Sequence, residues 1–322
     1  MAGRPRVLIT SGDPGGVGPE LVLRALADPG TSGLAEFTAV GNPADFERAA
    51  AALGLPLPRI HPAGEPGGGP DGAPSPVPLG RPSAAGGRAA VTAVREAAHL
   101  VAAGDGDALV TAPVSKEALR LAGYPWPGQT EMLAELCASS DLRVLLMAGP
   151  LRVVHVSAHR SLRDAIDAVT PASVLRTIEL ADGIGRRLLG RPPRIAVAGL
   201  NPHAGEDGIL GEEDKRFIRP AVAQARSRGI DAHGPLSADT LFPRAAAGGA
   251  DLAVAMYHDQ GHIPVKLLGH DEGVAVTLGL PFLRMSPDHG AAFDIAGQGV
   301  ARPGSMTAAI RAAAAAAPGQ PP

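Results

Sequence analysis

Three histidines stand directly after short apolar segments, in sequence surroundings that otherwise differ. His159 lies in Ser-Ala-His-Arg-Ser, His203 in Asn-Pro-His-Ala-Gly and His258 in Met-Tyr-His-Asp-Gln. The preceding segments, which have the length and composition of buried strands, are residues 151–156, 195–200 and 252–256. Side chains at the carboxyl ends of parallel strands converge on one crevice. Three imidazoles with an open fourth position can hold a divalent metal, so this pattern predicts a metal-assisted enzyme.

The neighbours of these histidines favour the metal site over the commoner role of a surface or core histidine. Asp164 and Asp259 can act as hydrogen-bond acceptors or acids beside an imidazole. Asn-Pro-His-Ala-Gly forms a rigid turn that has little reason to carry His203 unless its ring is used. The spacing of the three histidines in the chain gives no further indication.

The rest of the chain alternates between strand-length apolar segments and helical patterns. This alternation predicts an α/β fold with a largely parallel sheet and helices on both faces, and the length of 322 residues favours two domains. The predicted strands are 7–10, 39–40, 108–111, 144–147, 153–156, 195–198, 252–256 and 274–277. The predicted helices are 19–27, 88–103, one around 117, and 171–189. The Gly- and Pro-rich residues 61–83 are predicted to form an exposed loop, and the Ala-rich C-terminal segment a last helix with a frayed end.

Composition argues against several classes of function. The net charge is −3 with 3% aromatic residues and no basic run, which disfavours nucleic-acid binding. No uninterrupted apolar stretch of about 18 residues exists, so a membrane span is not expected. Cys137 is the single cysteine, and no secretory signal pattern precedes the first strand. We therefore expect a cytoplasmic enzyme without disulfides.

Two further segments carry glycines in unusual density. Residues 11–20, Ser-Gly-Asp-Pro-Gly-Gly-Val-Gly-Pro-Glu, follow the first strand and open the first helix. Their spacing fits neither the dinucleotide fingerprint nor the P-loop, and a tight structural turn is the alternative. Residues 288–297 read Asp-His-Gly-Ala-Ala-Phe-Asp-Ile-Ala-Gly. Together the two segments resemble the paired cofactor loops of isocitrate and isopropylmalate dehydrogenases, which bind NAD(P) in a cleft between two α/β domains.

This resemblance implies which residues contact a nicotinamide cofactor. The positions expected near its nicotinamide half are Gly12, Asp13, Gly15, Gly16 and Gly18. The positions expected near its adenosine half are His289, Gly290, Asp294 and Gly297. We expect a cofactor-side domain of residues 1–130 plus 272–322, and a domain for metal, substrate and dimerisation over 131–271.

Seven longer motifs narrow the resemblance to one family. They are residues 111–116, 128–131, 158–164, 200–206, 234–240, 256–261 and 277–284. All resemble the 4-hydroxythreonine-4-phosphate dehydrogenase family of vitamin B6 biosynthesis. The resemblance implies that His159, His203 and His258 are metal ligands drawn from both subunits of a homodimer. It also implies that the substrate is a phosphorylated hydroxy acid.

The substrate-binding positions that the resemblance implies are Thr130, Lys266 and Arg284, together with two that depart from the family pattern. Gln129 replaces a histidine, and Ala275 replaces an asparagine. An amide can still donate a hydrogen bond but cannot carry a proton, and alanine removes a polar contact. Metal-dependent dehydrogenation is therefore the firmer expectation, and the identity of the substrate stays open.

The expected reaction is oxidation of a secondary alcohol β to a carboxylate by NAD or NADP, followed by loss of CO2. For 4-phosphooxy-L-threonine the product is 3-amino-2-oxopropyl phosphate. The metal is zinc or another divalent ion such as magnesium, cobalt, manganese or nickel. Lys116 and Asp239 are the candidates for proton transfer, although each is also compatible with a place at a helix start. Asp259 either orients an imidazole, which we prefer, or ligates the metal.

Three alternatives remain from the sequence. A paralogue could act on a dihydrodiol carboxylate or a threonate phosphate. A three-histidine metallohydrolase could use the same ligands, although it would need no adenosine loop. A catalytically inactive binding protein could retain the fold and bind metal without reducing a nicotinamide.

Overall fold

The computed structural model describes residues 3–64, 77–269 and 271–317. The first half of the chain forms β1 (Arg6–Thr10), α1 (Gly18–Ala27), β2 (Glu36–Gly41), α2 (Pro43–Leu53), β3 (Ile60–Pro62), α3 (Ala84–Ala102), β4 (Ala108–Thr111), α4 (Lys116–Leu121) and α5 (Gln129–Leu136). The second half forms β5 (Arg143–Ala148), β6 (Leu151–His155), α6 (Leu162–Asp167), α7 (Pro171–Leu189), β7 (Ile195–Ala198), α8 (Arg219–Ser227), β8 (Ala232–Leu236), α9 (Ala238–Ala246), β9 (Leu252–Ala255), α10 (His258–Gly269), β10 (Val274–Leu278), β11 (Leu283–Pro287) and α11 (Gly304–Ala316). Strands and helices therefore alternate through most of the chain, as the sequence predicts for an α/β fold.

The first compact unit contains the described residues up to Ser140 and from Leu280 onward. Its strands lie in the order β3-β2-β1-β4-β11 and are all parallel. Helices α3 and α4 pack together, and their apolar side chains share a buried core with β4 and α5. This core includes Val94, Leu109, Leu119 and Met132.

The second compact unit is Asp141–Gly279. Its strands lie in the order β10-β5-β6-β9-β7-β8, and β5 alone among them runs antiparallel to its neighbours. The reversal follows from the tight connection through Gly149 and Pro150, which joins β5 and β6 as a hairpin. The boundaries between the two units lie at 140/141 and 279/280. The boundaries predicted from the sequence, 130/131 and 271/272, lie ten and eight residues earlier.

Local signals in the sequence explain most element limits. Helix α7 coincides with its predicted range because Thr170 and Ser173 form a reciprocal capping box and Pro171 is its first residue. Helix α3 begins four residues before its predicted start, because Ser83 caps it and the helix tolerates Gly86 and Gly87 in its first turn. Helix α2 was not predicted, although Asn42 caps it.

In the predicted loop 61–83, residues 65–76 lie outside the described part, and residues 61–62 belong to β3. The predicted last helix is α11, and residues 318–322 of the tail lie outside the described part. Among the described residues, no helix combines the length and apolar composition that spanning a membrane requires.

Candidate active site

The strands that precede the three histidines are neighbours in the sheet of the second unit. Strands β6, β9 and β7 lie side by side and are parallel. His159, His258 and His203 each follow the carboxyl end of one of them. The fold therefore places all three at the same edge of one sheet, as the sequence analysis expected.

His159 and His258 come together in this unit. Their ring centroids lie 5.5 Å apart. Nδ1 of His258 lies 2.6 Å from Oδ1 of Asp259. Because a carboxylate only accepts hydrogen bonds, Nδ1 is the donor in this pair. Nε2 is therefore the nitrogen available to a ligand. Both rings line a cleft of about 440 Å³, which Arg160, Ser161, Tyr257 and others complete. Two imidazole side chains, one of them held in orientation by a carboxylate, fit a divalent metal.

His203 occupies a turn of unusual backbone conformation. The residues from His203 to Asp207 all have positive φ, which costs energy for residues other than glycine. The buried carboxylate of Asp214 holds this turn, accepting hydrogen bonds from the backbone N–H groups of Leu200 (2.9 Å) and Asn201 (3.1 Å). The sequence predicted a rigid turn here but not its left-handed form, because the anchoring carboxylate lies farther along the chain.

His203 lies apart from the other two histidines within one chain. Its Nδ1 lies 3.5 Å from Oγ of Ser237, whose hydroxyl donates to Asp239. This hydrogen bond from Ser237 is the main reason that the pKa of the Asp239 carboxyl lies below its usual value. Within the described part of the chain, no three His, Cys, Asp or Glu side chains form a group that could hold a metal. One chain alone therefore supplies two of the three predicted ligands in one place.

Two further histidines were missed by the sequence analysis. His155 ends β6 and is 1% exposed, and His262 lies one helical turn after His258 in α10. The rings of His258 and His262 are stacked, with centroids 3.6 Å apart and planes inclined by 13°. Burial, together with the neighbouring His262, lowers the pKa of His155 to about 3, so its ring is neutral at physiological pH. The signal that could have found His262 is its four-residue spacing from His258.

The predicted cofactor segments lie side by side in the first unit. The N–H of Val17 donates to the carbonyl oxygen of Ala291 at 2.9 Å, and a Cβ at Gly16 would overlap that same carbonyl. Gly16 and Gly297 also line one cleft. His289 and Asp294 are exposed. The structure thus brings together one segment from each end of the chain.

Asp13 is a fully buried titratable group of the glycine-rich segment. Its Oδ1 accepts a hydrogen bond from the N–H of Gly15 at 3.0 Å, while Oδ2 is buried without a hydrogen-bond partner among the described residues. Burial raises the pKa of Asp13 to about 6. Gly12 adopts a φ of 66°, and a Cβ there would overlap the Pro113 carbonyl. A buried carboxyl oxygen without a partner, beside backbone that only glycine permits, fits close approach of a polar ligand such as a nicotinamide cofactor.

Two predicted substrate residues of the first unit, Arg284 and Gln129, form hydrogen bonds at the end of β4. Arg284 is 4% exposed, and its Nε and Nη2 donate to Oγ1 of Thr111 at 3.1 and 2.6 Å. Burial lowers the pKa of Arg284 to about 10, so the guanidinium remains charged at neutral pH. A buried, charged guanidinium is suited to binding a phosphate or carboxylate.

Gln129, the first residue of α5, is held by its amide nitrogen. Nε2 donates to the carbonyl oxygen of Ala112 at 3.1 Å, which fixes the orientation of the amide because a carbonyl only accepts. Oε1 is then a buried acceptor without a hydrogen-bond partner among the described residues.

The other predicted residues are less buried. Thr130 is half-buried, and Lys116 is the exposed first residue of α4. In the second unit, Lys266 lies half-buried on α10.

Ala275 lies on β10 of the second unit, opposite Leu146 on β5, and packs against that unit's apolar core. An asparagine there, as in the family pattern, would place an amide beside apolar side chains. The alanine therefore suits its local surroundings in the sheet.

Known proteins resemble this chain over nearly its whole length. A family model described as pyridoxal phosphate biosynthetic protein PdxA matches residues 35–313. The chain is 46% identical to a 4-hydroxythreonine-4-phosphate dehydrogenase of Geobacter metallireducens, over 97% of this chain and 95% of that protein. It is 44% identical to a D-threonate 4-phosphate dehydrogenase of Salmonella typhimurium, over 95% of this chain and 97% of that protein. The crystal structure of a 4-hydroxythreonine-4-phosphate dehydrogenase from Klebsiella pneumoniae matches with a TM-score of 0.85 at 40% identity, covering 98% of both chains.

Proposed function

The chain belongs to the PdxA family and is an oxidoreductase, and we propose that it oxidises a secondary alcohol β to the carboxylate of a phosphorylated hydroxy acid, with loss of CO2. The proposed cofactors are NAD or NADP and a divalent metal. The preferred substrate is 4-phosphooxy-L-threonine, which gives 3-amino-2-oxopropyl phosphate. The observation that carries this proposal is the His159–His258 pair, with Asp259 fixing the second ring, at the carboxyl edge of a mostly parallel sheet.

The proposed metal ligands are His159 and His258 of one subunit with His203 of the partner subunit. Imidazole donors suit zinc and nickel better than magnesium or manganese, which prefer oxygen ligands. When bound, such a cation lowers the pKa of the substrate alcohol and polarises the ketone formed from it, while the nicotinamide accepts a hydride. Asp259 holds the proton on Nδ1 of His258, so that Nε2 faces the ligand.

Exposed apolar side chains support a homodimer with this site at its interface. Leu162 is 60% exposed and lines the same cleft as His159 and His258. Ile263 and Leu267 lie one turn apart on α10, which begins at His258, and are 56% and 81% exposed. Ile209, beside the His203 turn, is 81% exposed. Apolar residues exposed on the three segments that carry the histidines favour burial against a second copy of the chain.

The remaining groups have proposed roles in binding and proton transfer. Arg284 binds the phosphate or carboxylate of the substrate, with Thr130 and Lys266 contributing further contacts. The Asp239 carboxylate, which receives a hydrogen bond from Ser237, is the proposed acceptor of the alcohol proton. The Lys116 ammonium returns a proton to the carbon that CO2 leaves. One proton is taken from the alcohol and one is given to the carbon, so the sum of these steps is one ketone, one CO2 and one reduced nicotinamide, with no net release of a proton.

D-threonate 4-phosphate is the second candidate substrate, because it carries a hydroxyl where 4-phosphooxy-L-threonine carries an ammonium. Gln129 offers a neutral buried acceptor, Oε1, in place of an imidazole that could carry a proton. Ala275 offers no polar group at all.

We also propose a cytoplasmic location. Cys137 is the single cysteine of the sequence and is a free thiol, which fits a reducing compartment.

A dehydrogenase assay with both substrates and both nicotinamide cofactors tests the proposed function. We expect reduced nicotinamide to form with at least one phosphorylated substrate, and the unphosphorylated acid to react far more slowly. The assay is run with each divalent metal in turn. Absence of turnover in every combination, with the protein folded, would contradict the proposal.

We expect the double variant Gln129→His, Ala275→Asn to shift specificity toward 4-phosphooxy-L-threonine. One restored hydrogen bond typically contributes about 1 kcal/mol, so the ratio of kcat/KM for the two substrates should change by about fivefold per position. The measurement is kcat/KM for both substrates in the parent protein, each single variant and the double variant. An unchanged ratio would show that these positions do not set specificity.

A further inference from the structure

We infer that His262 is a positioning residue, which holds the ring of the metal ligand His258 in place and is itself fixed by the buried His155. This inference rests on the proposed function, because it concerns the same metal site. The ring of His262 covers that of His258 at a centroid distance of 3.6 Å. On its other side, Nδ1 of His262 lies 3.1 Å from Nε2 of His155. The ring of His262 is thus held between a partly buried hydrogen bond at its edge and the ring face of the proposed ligand.

The direction of these hydrogen bonds follows from the backbone. Nδ1 of His155 lies 3.2 Å from the carbonyl oxygen of Val144, and since a carbonyl only accepts, the proton of His155 is on Nδ1. Nε2 of His155 is then an acceptor, and Nδ1 of His262 must donate to it. A carbonyl on β5 therefore fixes the tautomer of His155. Nδ1 of His262 also lies 3.2 Å from the carbonyl oxygen of His258, so both acceptors require the proton of His262 to be on Nδ1.

Gly261 makes this arrangement possible. A Cβ at Gly261 would overlap Nε2 of His155 and would also press on Val153 and Ala255. Helix α10 can therefore lie this close to β6 only with glycine at that position. The closeness brings His262 within hydrogen-bond distance of His155, and α10 begins at His258, so the helix positions both rings at once.

The arrangement matters for metal binding because a histidine side chain has two soft torsion angles. Asp259 holds Nδ1 of His258 from one side, but a single hydrogen bond leaves the ring free to swing about that contact. The stacked ring of His262 prevents this rotation of the His258 ring. Partners that orient a metal-binding histidine typically change metal affinity by about 10- to 100-fold when they are removed.

Two complementary substitutions test the inference. His262→Phe keeps a flat ring on His258 but loses the N–H that donates to His155. His262→Asn keeps an amide N–H close to the position of Nδ1 but loses the ring. The matched control is His233→Gln, since His233 is exposed on β8 of the same unit and its ring pairs with Asp231 at the surface. His258→Ala reports loss of the ligand itself.

The measurement is Co2+ affinity and the visible spectrum of the bound Co2+, with melting temperature as the check on folding. We expect both His262 variants to bind Co2+ about tenfold more weakly or worse, with a shifted spectrum, and His233→Gln to match the parent protein. Parent-like affinity and spectrum in both folded His262 variants would overturn the inference. If His258→Ala also binds Co2+ as the parent does, the proposed metal site itself fails, which is a separate result.

Discussion

Replacing His258 with alanine is expected to remove the bound metal and to reduce turnover to background, while the protein remains folded. His258 is only partly buried and lies at the start of α10, so its ring contributes little to the core of the second unit. Its Nε2 is the donor that Asp259 leaves available. Loss of one of three ligands leaves too few donors to hold a divalent ion tightly. Metal content after dialysis and the rate of nicotinamide reduction are the measurements.

His203→Ala should have the same effect, because the proposed site takes His203 from the partner subunit. Within one chain His203 lies near Ser237 and Asp239 and does not join His159 and His258. Two inactive variants, His203→Ala and His258→Ala, should therefore complement each other. In a mixed dimer one of the two sites contains only native ligands, and the other carries both substitutions.

Random exchange of subunits should restore about one quarter of the parental activity, because half of the dimers are mixed and each mixed dimer has one intact site. The two variants are mixed after brief dissociation, and each variant alone is treated in the same way as a control. Restored activity would also establish the homodimer. If the mixture stays as inactive as its components while dimers have exchanged, the shared-site arrangement is wrong.

Replacing Arg284 with methionine is expected to raise KM for the phosphorylated substrate by about 10- to 100-fold, the usual worth of a hydrogen-bonded charged contact. Methionine fills a similar volume but carries no charge. Arg284→Lys should recover little of this loss, because an ammonium cannot reproduce the fork that donates to Thr111 and reaches an anion. Because Arg284 is buried, the substitution tests a contact inside the protein and not a general effect of charge on the surface.

The matched control is Arg120→Met, since Arg120 is an exposed arginine of the same unit, in the last turn of α4. It should leave KM unchanged. Melting temperature and NAD(P) affinity of the Arg284 variants separate a loss of substrate contact from a loss of structure. An unchanged KM in folded Arg284→Met would remove this residue from the proposed binding site.

The sequence predicted those features that depend on local patterns. The capped and proline-started helix α7 has the predicted limits, and the strands before His159, His203 and His258 lie side by side as expected. In each case a few consecutive residues determine the structure, because a cap fixes the start of its own helix and an apolar run forms its own strand.

The features that were missed depend on residues far apart in the chain. The left-handed turn at His203 is held by Asp214, and the ring of His262 is held by His155, which lies 107 residues earlier. Which atom of the Gln129 amide is left without a partner among the described residues depends on how the amide turns toward Ala112. No periodicity in the sequence reports such contacts, since tertiary packing decides them.

Removal and return of the metal is the most direct test of the central claim, that a histidine-bound cation takes part in nicotinamide-dependent oxidation. Formation of reduced nicotinamide is followed for the parent protein as purified, in excess chelator, and after divalent metal is added back. We predict that activity disappears with the chelator and returns with the metal, in proportion to the metal bound. Undiminished activity in excess chelator, with no metal left on the protein, would contradict the account.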